Sequence, residues 1–295
     1  MSRADAFHSG FVTVIGRPNV GKSTLVNRIL GTKVTITSPR PNTTRRTVRG
    51  VLHRPGAQAV FVDTPGLHRP KTALGHRLND SVADALDDVD VVVPVIDATA
   101  PVGPGDRLVL ERAAAAGPGR VVVAVNKVDA AREEQVLAQL AKAHEVLGRA
   151  GEGAEAELFP VSAQTGRGVD ALVAEVLARL PEGPPYFPED MHSDVPETFW
   201  VAELVREQLL VHLRDELPHA LACLVTEWEW PRIRVEIIVE RESQKGMVIG
   251  HHGERLRQVG TAVRAQLPPG AYLELHVRVA KHWQQRPDEV ERLGY

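Results

Sequence analysis

Cysteine is almost missing from this sequence, since Cys223 is the only one among 295 residues. An intramolecular disulfide therefore cannot form, and a zinc site made of several cysteines cannot be built. This composition favours a reducing compartment, and we expect the protein in the cytoplasm.

Long hydrophobic runs are missing as well. The first ten residues, MSRADAFHSG, lack the apolar core of a signal peptide. The most apolar runs, Val91 to Ile96 and Val121 to Val125, have the length of strands and fall well short of the roughly 18 apolar residues of a membrane span. We expect a soluble protein, with a peripheral contact at the inner face of the cell membrane as the remaining membrane alternative.

Neither sign of charge dominates the chain. Lysine and arginine total 35 against 38 aspartate and glutamate residues, a net charge of −3. A global positive field that would announce a nucleic-acid binder is excluded, and any basic surface must be local. With 43% hydrophobic and 25% charged residues the chain has ordinary globular composition, and its length favours two domains of roughly 100–200 residues.

The first half of the chain alternates short apolar runs with longer segments of helical spacing. The runs are FVTVI, AVFVD, DVVVPVID, RVVVAVN and ELFPVS. Runs apolar on successive residues are typical of strands buried on both faces, so the pattern predicts a mostly parallel, doubly wound α/β sheet. VRGVLH before AQAVFVD predicts a hairpin with one antiparallel edge strand, and Pro94 inside a central strand predicts a bulge.

The segment PEGPPYFPED, Pro181 to Asp190, contains four prolines and no periodicity. It predicts a stiff linker between domains. The expected division is residues 1–182, a linker at 183–195, and residues 196–295. Spacing in the last part predicts a small α+β domain with the order helix, strand, strand, helix, strand.

A phosphate-binding motif follows the first predicted strand directly. GRPNVGKS matches G-x-x-x-x-G-K-[ST], and the helical segment TLVNRIL comes next. The backbone N–H groups of such a loop surround phosphate oxygens, Lys22 supplies a charge to the outer phosphates, and Ser23 offers a hydroxyl to Mg²⁺. The expected phosphate-contacting residues are Gly16, Arg17, Pro18, Asn19, Val20, Gly21, Lys22, Ser23 and Thr24.

A second motif, DTPG, ends the AVFVD strand. It places the Asp63 carboxylate at a strand end beside the phosphate loop, as a Mg²⁺ partner should be. The expected nucleotide contacts here are Asp63, Thr64, Pro65, Gly66 and Leu67.

A third motif, NKVD, follows the strand RVVVAVN and predicts guanine recognition. The Asp129 carboxylate can accept hydrogen bonds from both N1–H and the exocyclic amino group of guanine, a pair that adenine does not offer. Asn126 would tie this loop to the phosphate loop, and Lys127 would cover the face of the base. The expected base-side residues are Asn126, Lys127, Val128 and Asp129, with Ser162 and Ala163 after ELFPV.

The motifs GRPNVGKST, DTPG, NKVD and VSA stand in the order found in translation-factor-related GTPases. PNTTR at residues 41–45, GPPYFPED in the linker, VIGHHGERLRQVG and the terminal VERLGY resemble the Era family, and the resemblance covers nearly the whole chain. It implies a P-loop GTPase domain followed by a type II KH domain, GTP and GDP as ligands, and Mg²⁺ as cofactor.

The resemblance also implies roles for particular residues. A switch-I threonine should bind Mg²⁺; we expect Thr44, with Thr43 as the alternative that spacing leaves open. Leu67 stands where Ras-like enzymes have a water-orienting glutamine, and an apolar side chain cannot do that. Asn19 matches an asparagine with which related GTPases hold K⁺, or it only stabilises the loop. The expected metal ligands are Ser23, Thr44 and Asp63, and the expected catalytic residues are Lys22, Thr44, Asp63, Gly66 and Asn19.

A G-x-x-G turn, Gly250 to Gly253, predicts a nucleic-acid contact of the KH type. Residues 197–295 carry 13 basic against 15 acidic residues, whereas residues 241–264 carry five against two. A local basic strip suits a narrow single-strand site. The family usually has lysine where this chain has His252. The expected RNA-binding residues are Lys245, in a loop, with Ile249, Gly250, His251, His252, Gly253, Arg255 and Arg257.

The resemblance implies GTP hydrolysis coupled to binding of single-stranded RNA near the 3′ end of 16S ribosomal RNA, in assembly of the small ribosomal subunit, by a monomer. The alternative is a GTP-dependent membrane or protein scaffold whose KH-like domain binds no RNA.

Overall fold

The computed structural model describes residues 6–67, 70, 72–87, 89–150, 156–213, 217 and 220–295. The chain forms two compact units. The first comprises Met1–Thr35, Thr44–Arg69 and Leu78–Asp194, and the second comprises Ile36–Thr43, Pro70–Arg77 and Val195–Tyr295. The predicted domain limits at residues 182 and 196 remain predictions.

The first unit is built on a sheet that contains six strands within the described residues, in the order β2-β3-β1-β4-β5-β6. Only the β2–β3 pair is antiparallel among the described pairs, so the predicted hairpin and edge strand are confirmed. The elements in chain order are β1 (His8–Gly16), α1 (Lys22–Leu30), β2 (Val48–Arg54), β3 (Ala57–Asp63), α2 (Ala73–Asp84), β4 (Val91–Asp97), α3 (Pro104–Ala114), β5 (Val122–Asn126), α4 (Glu133–Ala150), β6 (Glu157–Pro160) and α5 (Val169–Ala178).

Pro94 causes no bulge in β4, and that prediction is wrong. Val92 pairs with Val121 and Val95 pairs with Ala124, so the register is the same on both sides of the proline. The Val92 N–H donates to the Arg120 carbonyl, 2.8 Å away, and Pro94 faces the same neighbour because backbone groups alternate sides along a strand. The missing N–H is accommodated as a gap in the ladder with β5.

The proline-rich segment belongs to the first unit and is bonded to its strands. Ser9 N–H donates to the Pro181 carbonyl at 3.0 Å, and Gln58 Oε1 accepts from the backbone N–H groups of Tyr186 and Phe187 at 2.7 and 3.0 Å. Further along, Val51 N–H donates to the His192 carbonyl at 2.9 Å. Because prolines cannot donate to a ladder, side chains such as Gln58 supply part of the bonding that holds this segment.

The second unit contains a sheet in the order β7-β8-β9, with β7 and β8 antiparallel and β8 and β9 parallel. Apolar residues of α6, α8 and the strands form its core. The elements are α6 (Glu197–His212), β7 (Ala222–Glu229), β8 (Arg232–Val239), α7 (Glu242–Ile249), α8 (Glu254–Arg264), β9 (Tyr272–Val279) and α9 (Pro287–Arg292).

Two helices of this unit, α7 and α9, were not predicted. The prediction that Lys245 lies in a loop is wrong, because Lys245 is in α7. Only Val248 is buried in α7, and Gly246 interrupts the helix formers, so the eight residues carry no apolar periodicity to detect. The predicted order lacked a helix–turn–helix around the G-x-x-G turn.

The segment Ile36–Thr43 of the second unit is bonded to α6. Thr37 N–H donates to Glu207 Oε1 at 2.9 Å, and the Arg40 guanidinium donates to the Leu213 carbonyl at 3.1 Å. The Arg206 guanidinium, which is fully buried, donates to the Thr43 carbonyl and to the Glu203 carboxylate. The residues that precede Thr44 are thus held by backbone and charged contacts within this unit.

Candidate functional site

The phosphate loop joins β1 to α1 through a backbone that requires glycine. Gly21 has φ +96°, and a Cβ there would lie 2.4 Å from Asn126 Nδ2. This close approach lets Asn126 donate to the Val20 carbonyl at 2.8 Å. The predicted tie between the NKVD loop and the phosphate loop is therefore present in the structure.

Lys22 is the first residue of α1 and is buried within the loop. Its ammonium donates to the carbonyl oxygens of Gly16 and Arg17, each at 3.1 Å. Burial lowers the pKa of Lys22 to about 8, and the Asp63 carboxylate only partly opposes that shift. The side chain is a desolvated charge at the N-terminus of a helix, where phosphate oxygens bind.

Asp63 stands at the end of β3 among hydroxyl groups. Its Oδ2 accepts from Ser23 Oγ at 2.8 Å, from Thr44 Oγ1 at 3.3 Å and from Thr35 Oγ1 at 3.0 Å. Ser23 Oγ and Thr44 Oγ1 are 2.8 Å apart. The structure thus brings together the three residues predicted as metal ligands, and it adds Thr35, which no motif in the sequence marked.

The Asp63 carboxylate is fully buried, and its Oδ1 has no hydrogen-bond partner within the described residues. Burial raises the pKa of Asp63, against the lowering effects of Lys22 and of the three hydroxyl groups. An unsatisfied buried carboxylate oxygen beside hydroxyl oxygens is a donor set that suits a hard cation such as Mg²⁺.

Thr43 and Thr44 have different partners. The Thr44 hydroxyl bonds to Ser23 and Asp63, whereas the Thr43 hydroxyl donates to the Arg40 carbonyl at 2.7 Å. This geometry favours Thr44 over Thr43 as the switch-I ligand, an alternative that spacing alone left open.

The base-side loops are organised by Asn126 and Lys127. Asn126 Oδ1 accepts from Ala163 N–H at 2.9 Å, which joins the NKVD and VSA loops. Lys127 Nζ donates to the Asn19 carbonyl at 2.7 Å, which fixes the lysine stem across the phosphate loop. Asp129 is exposed, so its carboxylate is accessible to a base.

Two aspartates that the motifs did not mark support these loops. Asp97, at the end of β4, accepts from Lys127 Nζ at 2.6 Å; burial alone would raise its pKa, but hydrogen bonds from Lys127 and Thr99 hold that pKa below its usual range. Asp106 is buried and accepts from Arg17 Nε at 2.6 Å. Because this ion pair engages Arg17, the arginine contributes to loop structure as well as to the predicted phosphate site.

Leu67 points into the hydrophobic core of the first unit. Its backbone N–H donates to the Gly16 carbonyl at 3.1 Å. Leu67 is 5% exposed and its side chain is apolar, so it offers no group that could orient a water molecule.

The G-x-x-G turn joins α7 to α8. Gly250, His252 and Gly253 have φ +75°, +48° and +77°, so three of the four turn residues have the positive φ that glycine adopts readily. The His251 and His252 rings are exposed, with centroids 4.1 Å apart. Arg255 donates to the Met247 carbonyl, while Arg257 is exposed on α8 and Lys245 is partly buried on α7. Ile249 ends α7, immediately before the turn.

A phosphate loop linked through Asn126 to a guanine-type loop, in the same chain as a G-x-x-G turn between two helices, defines a class: P-loop GTPases with an appended KH domain. A family model described as a 50S ribosome-binding GTPase matches residues 11–127, and a KH domain model matches residues 216–284. No helix among the described residues is both long and apolar enough to cross a membrane.

Similar proteins extend over almost the whole chain. The GTPase Era of Mycobacterium avium is 48% identical over 301 residues, covering 98% of this chain and 99% of its own. A crystal structure of Era with MgGDPNP and nucleotides 1506–1542 of 16S ribosomal RNA matches with a TM-score of 0.91 at 38% identity, covering 98% of this chain and 99% of the other. A variant of Aquifex aeolicus Era bound to GDP·AlF4⁻ matches with a TM-score of 0.90 at 38% identity, with the same coverage. This chain belongs to the Era family of GTPases, which confirms the predicted family, fold class and GTPase activity.

Proposed function

We propose that this GTPase is a switch that binds single-stranded RNA at the 3′ end of 16S ribosomal RNA and assists assembly of the small ribosomal subunit. The observation that carries the proposal is the likeness, at a TM-score of 0.91, to an Era structure in complex with MgGDPNP and that RNA. The G-x-x-G turn with exposed His251 and His252 supplies a matching surface in this chain.

The nucleotide site follows from the oxygen cluster. Ser23, Thr44 and Asp63 would hold Mg²⁺, which when bound supplies charge neutralisation to the phosphates. Lys22 places its ammonium at the outer phosphates, and Gly66 brings the DTPG backbone against the phosphate loop, since a Cβ there would lie 2.7 Å from Pro18 N. The Asp129 carboxylate accepts hydrogen bonds from two N–H groups of guanine. Other bases bind more weakly because they leave that carboxylate without this pair of donors.

Hydrolysis needs a group that Leu67 does not provide. Asn19 lies exposed on the phosphate loop with φ +66°, and a K⁺ ion held there would add positive charge beside the phosphates. That charge would act where negative charge develops in the transition state. The intrinsic rate should therefore be low and cation-dependent.

RNA backbone would bind across the G-x-x-G turn. The two glycines allow close approach, and Arg257 and Lys245 lie on the helices that flank it. His252 stands in place of the usual lysine and offers an exposed imidazole at the turn.

Nucleotide state would reach the RNA site through switch I. Thr44 belongs to the oxygen cluster around Asp63, and the preceding segment is bonded to Glu207 and Arg206 of α6. A rearrangement at Thr44 would alter those contacts, and linkage then requires RNA and GTP to change each other's affinity by the same factor. We expect a cytoplasmic monomer, with peripheral membrane contact as a further possibility to be tested.

A fluorescent oligonucleotide with the 3′-terminal 16S sequence, titrated with protein bound to a non-hydrolysable GTP analogue or to GDP, tests the proposal. We expect tighter binding with the GTP analogue. We also expect a shallow salt dependence, in which log affinity falls by roughly 0.7 per phosphate contacted for each tenfold rise in salt concentration. His251→Asp with His252→Asp should abolish binding while GTP affinity is kept. The control variant, His144→Asp with His276→Asp, adds the same charges elsewhere on the protein and should leave RNA binding unchanged.

Absence of binding in both nucleotide states would reject the RNA function and favour the scaffold. Binding that is equal in both states would reject the switch and leave two independent domains.

A further inference from the structure

The second unit contains an apolar cavity of about 500 Å³ at the opposite end of α8 from the G-x-x-G turn. Gln266, Leu267 and Pro268 form the wall that follows the C-terminus of α8, whereas the turn precedes its N-terminus. Eleven helical residues separate the two places, or roughly 16 Å at the rise of an α-helix. The cavity is therefore distinct from the proposed RNA turn.

Three of the four tryptophans of the chain line this cavity. Trp200 comes from α6, Trp228 from β7 and Trp230 from the turn after β7; Trp230 is 51% exposed. Trp200 and Trp228 are partly buried and pack against the core of the unit, so they form a fixed wall, whereas Trp230 is open to solvent beside them. An exposed indole at an apolar cavity is typical of a binding site. Aromatic side chains around a cavity with room for a side chain can hold a cation.

Charge around the cavity is negative. Glu197 is the charged member of the described lining residues. Glu229 pairs with Arg232 across the sheet and faces away from the cavity, because its neighbour Trp228 and the paired Ile233 face into it. The nearby arginines are already paired: Arg232 donates to Glu274 at 2.8 and 3.1 Å, and Arg234 donates to Glu274 at 3.2 Å and to Glu227. Arg232 and Arg234 flank Ile233, which lines the cavity, so both arginines lie on the opposite face of the sheet from the cavity.

We propose that the tryptophan cavity binds an arginine side chain presented by a basic protein segment. A guanidinium stacks on indole faces and is weakly hydrated, so it enters an apolar cage at lower cost than an ammonium does. Glu197 at the mouth would pair with the same guanidinium. A nucleobase could also stack on indole, but its phosphate would lie near Glu197, which disfavours RNA here.

The test follows the indole N–H signals of the full-length, ¹⁵N-labelled protein during titration with a short peptide, acetyl-Gly-Arg-Gly-amide. The matched probe carries citrulline, which has nearly the same shape as arginine and no charge. We expect the signals of Trp200, Trp228 and Trp230 to shift with the arginine peptide. Trp283 is fully buried and donates to the Ala220 carbonyl at 2.9 Å, so its signal is the internal control.

Variants separate the cage from general electrostatics. Trp230→Ala and Glu197→Gln should each lower the affinity for the arginine peptide about threefold to tenfold, which is the range of a single cation–π or ion-pair contact. Glu254→Gln removes the same charge from the first turn of α8 and should leave the affinity unchanged. Trp230 is half exposed, so its truncation should spare the fold, which the remaining spectrum would verify.

Equal shifts with the citrulline peptide would overturn the proposal, because the cavity would then recognise only apolar shape. Indole shifts with a single-stranded oligonucleotide but not with the arginine peptide would overturn it in favour of RNA. An arginine-specific shift that Glu254→Gln reduces as much as Glu197→Gln would also overturn it.

Discussion

Nucleotide binding to this GTPase should weaken as the pH rises through the pKa of Lys22. That pKa is about 8 in the protein, against an ordinary value of 10.5, because the ammonium is buried, and the Asp63 carboxylate only partly opposes the shift. Phosphates favour the charged form, so the protonated lysine binds nucleotide and the neutral one binds less well. Affinity is therefore greatest below about pH 8 and falls above it.

The magnitude follows from the protonated fraction. With a pKa of about 8, that fraction falls from roughly three-quarters at about pH 7.5 to roughly one-quarter at about pH 8.5. The dissociation constant of Mg²⁺–GDP should then rise about threefold, or roughly 0.7 kcal/mol. Binding at the higher pH should also take up roughly three-quarters of a proton per nucleotide. The nucleotide phosphates are already ionised across this range, since their second pKa is about 6.

Isothermal titration calorimetry in two buffers of different ionisation enthalpy measures both quantities. Lys22→Met should bind more weakly with no pH dependence, and GMP, which lacks the outer phosphate, should show none with the wild-type protein. An unchanged slope in Lys22→Met would assign the titration to another group. A flat wild-type profile would refute the burial argument itself.

The burial of Lys22 also predicts how stability depends on pH: stability should rise with pH, whereas nucleotide affinity falls. The pKa of Lys22 is depressed by folding, so the unfolded chain binds the proton more tightly between about pH 8 and about pH 10.5. The contribution of Lys22 to the free energy of unfolding of the nucleotide-free protein should therefore become more favourable as pH rises through that window, a slope that Lys22→Met should remove.

Three further predictions test separate parts of the molecule. Asp129→Asn should lower GTP affinity by roughly a hundredfold and admit xanthosine triphosphate, because the hydrogen-bond pattern inverts; unchanged GTP affinity would contradict it. GTP hydrolysis should be faster in KCl than in NaCl at equal ionic strength, and Asn19→Ala should flatten the difference; equal wild-type rates would dismiss the K⁺ site. Glu203→Gln should cost roughly 3 kcal/mol in urea unfolding because it leaves the buried Arg206 charge without its carboxylate, whereas Glu203→Leu with Arg206→Met should cost much less; equal costs would mean that the pair is not coupled.

The class of the first sheet, mostly parallel with one antiparallel edge strand, was accessible from sequence because its buried strands are continuously apolar. Asp63 and Asn126 could be placed at the same edge because the carboxyl ends of parallel strands meet there. Thr35 could not be found this way. Its hydroxyl reaches Asp63 from a loop of the chain, and a lone threonine in a loop carries no spacing that indicates a partner 28 residues away.

The helices of the second unit were harder to predict from the sequence because those beside the G-x-x-G turn are short. Lys245 lies in α7, which buries only Val248, so nothing in the apolar pattern separates that helix from a loop. Asp97 and Asp106 were missed for another reason: each bonds to a basic residue of a motif, Lys127 or Arg17, and such pairs join distant parts of the sequence.

Thr43 and Thr44 are a choice that spacing leaves open and for which the side-chain contacts favour one residue. Both side chains are chemically equivalent candidates, and one residue of offset changes neither composition nor motif. The Arg206 guanidinium donates to the Thr43 carbonyl, and the Thr43 hydroxyl donates to the Arg40 carbonyl. Both the backbone and the side chain of Thr43 are therefore already hydrogen-bonded. Thr44 instead presents its hydroxyl to Ser23 and Asp63. Thr44→Ala should therefore weaken Mg²⁺-dependent nucleotide binding and slow hydrolysis, whereas Thr43→Ala should leave both nearly unchanged. Measuring GDP affinity with and without Mg²⁺ for the two variants checks this, and a larger Mg²⁺ effect of Thr43→Ala would reverse the assignment.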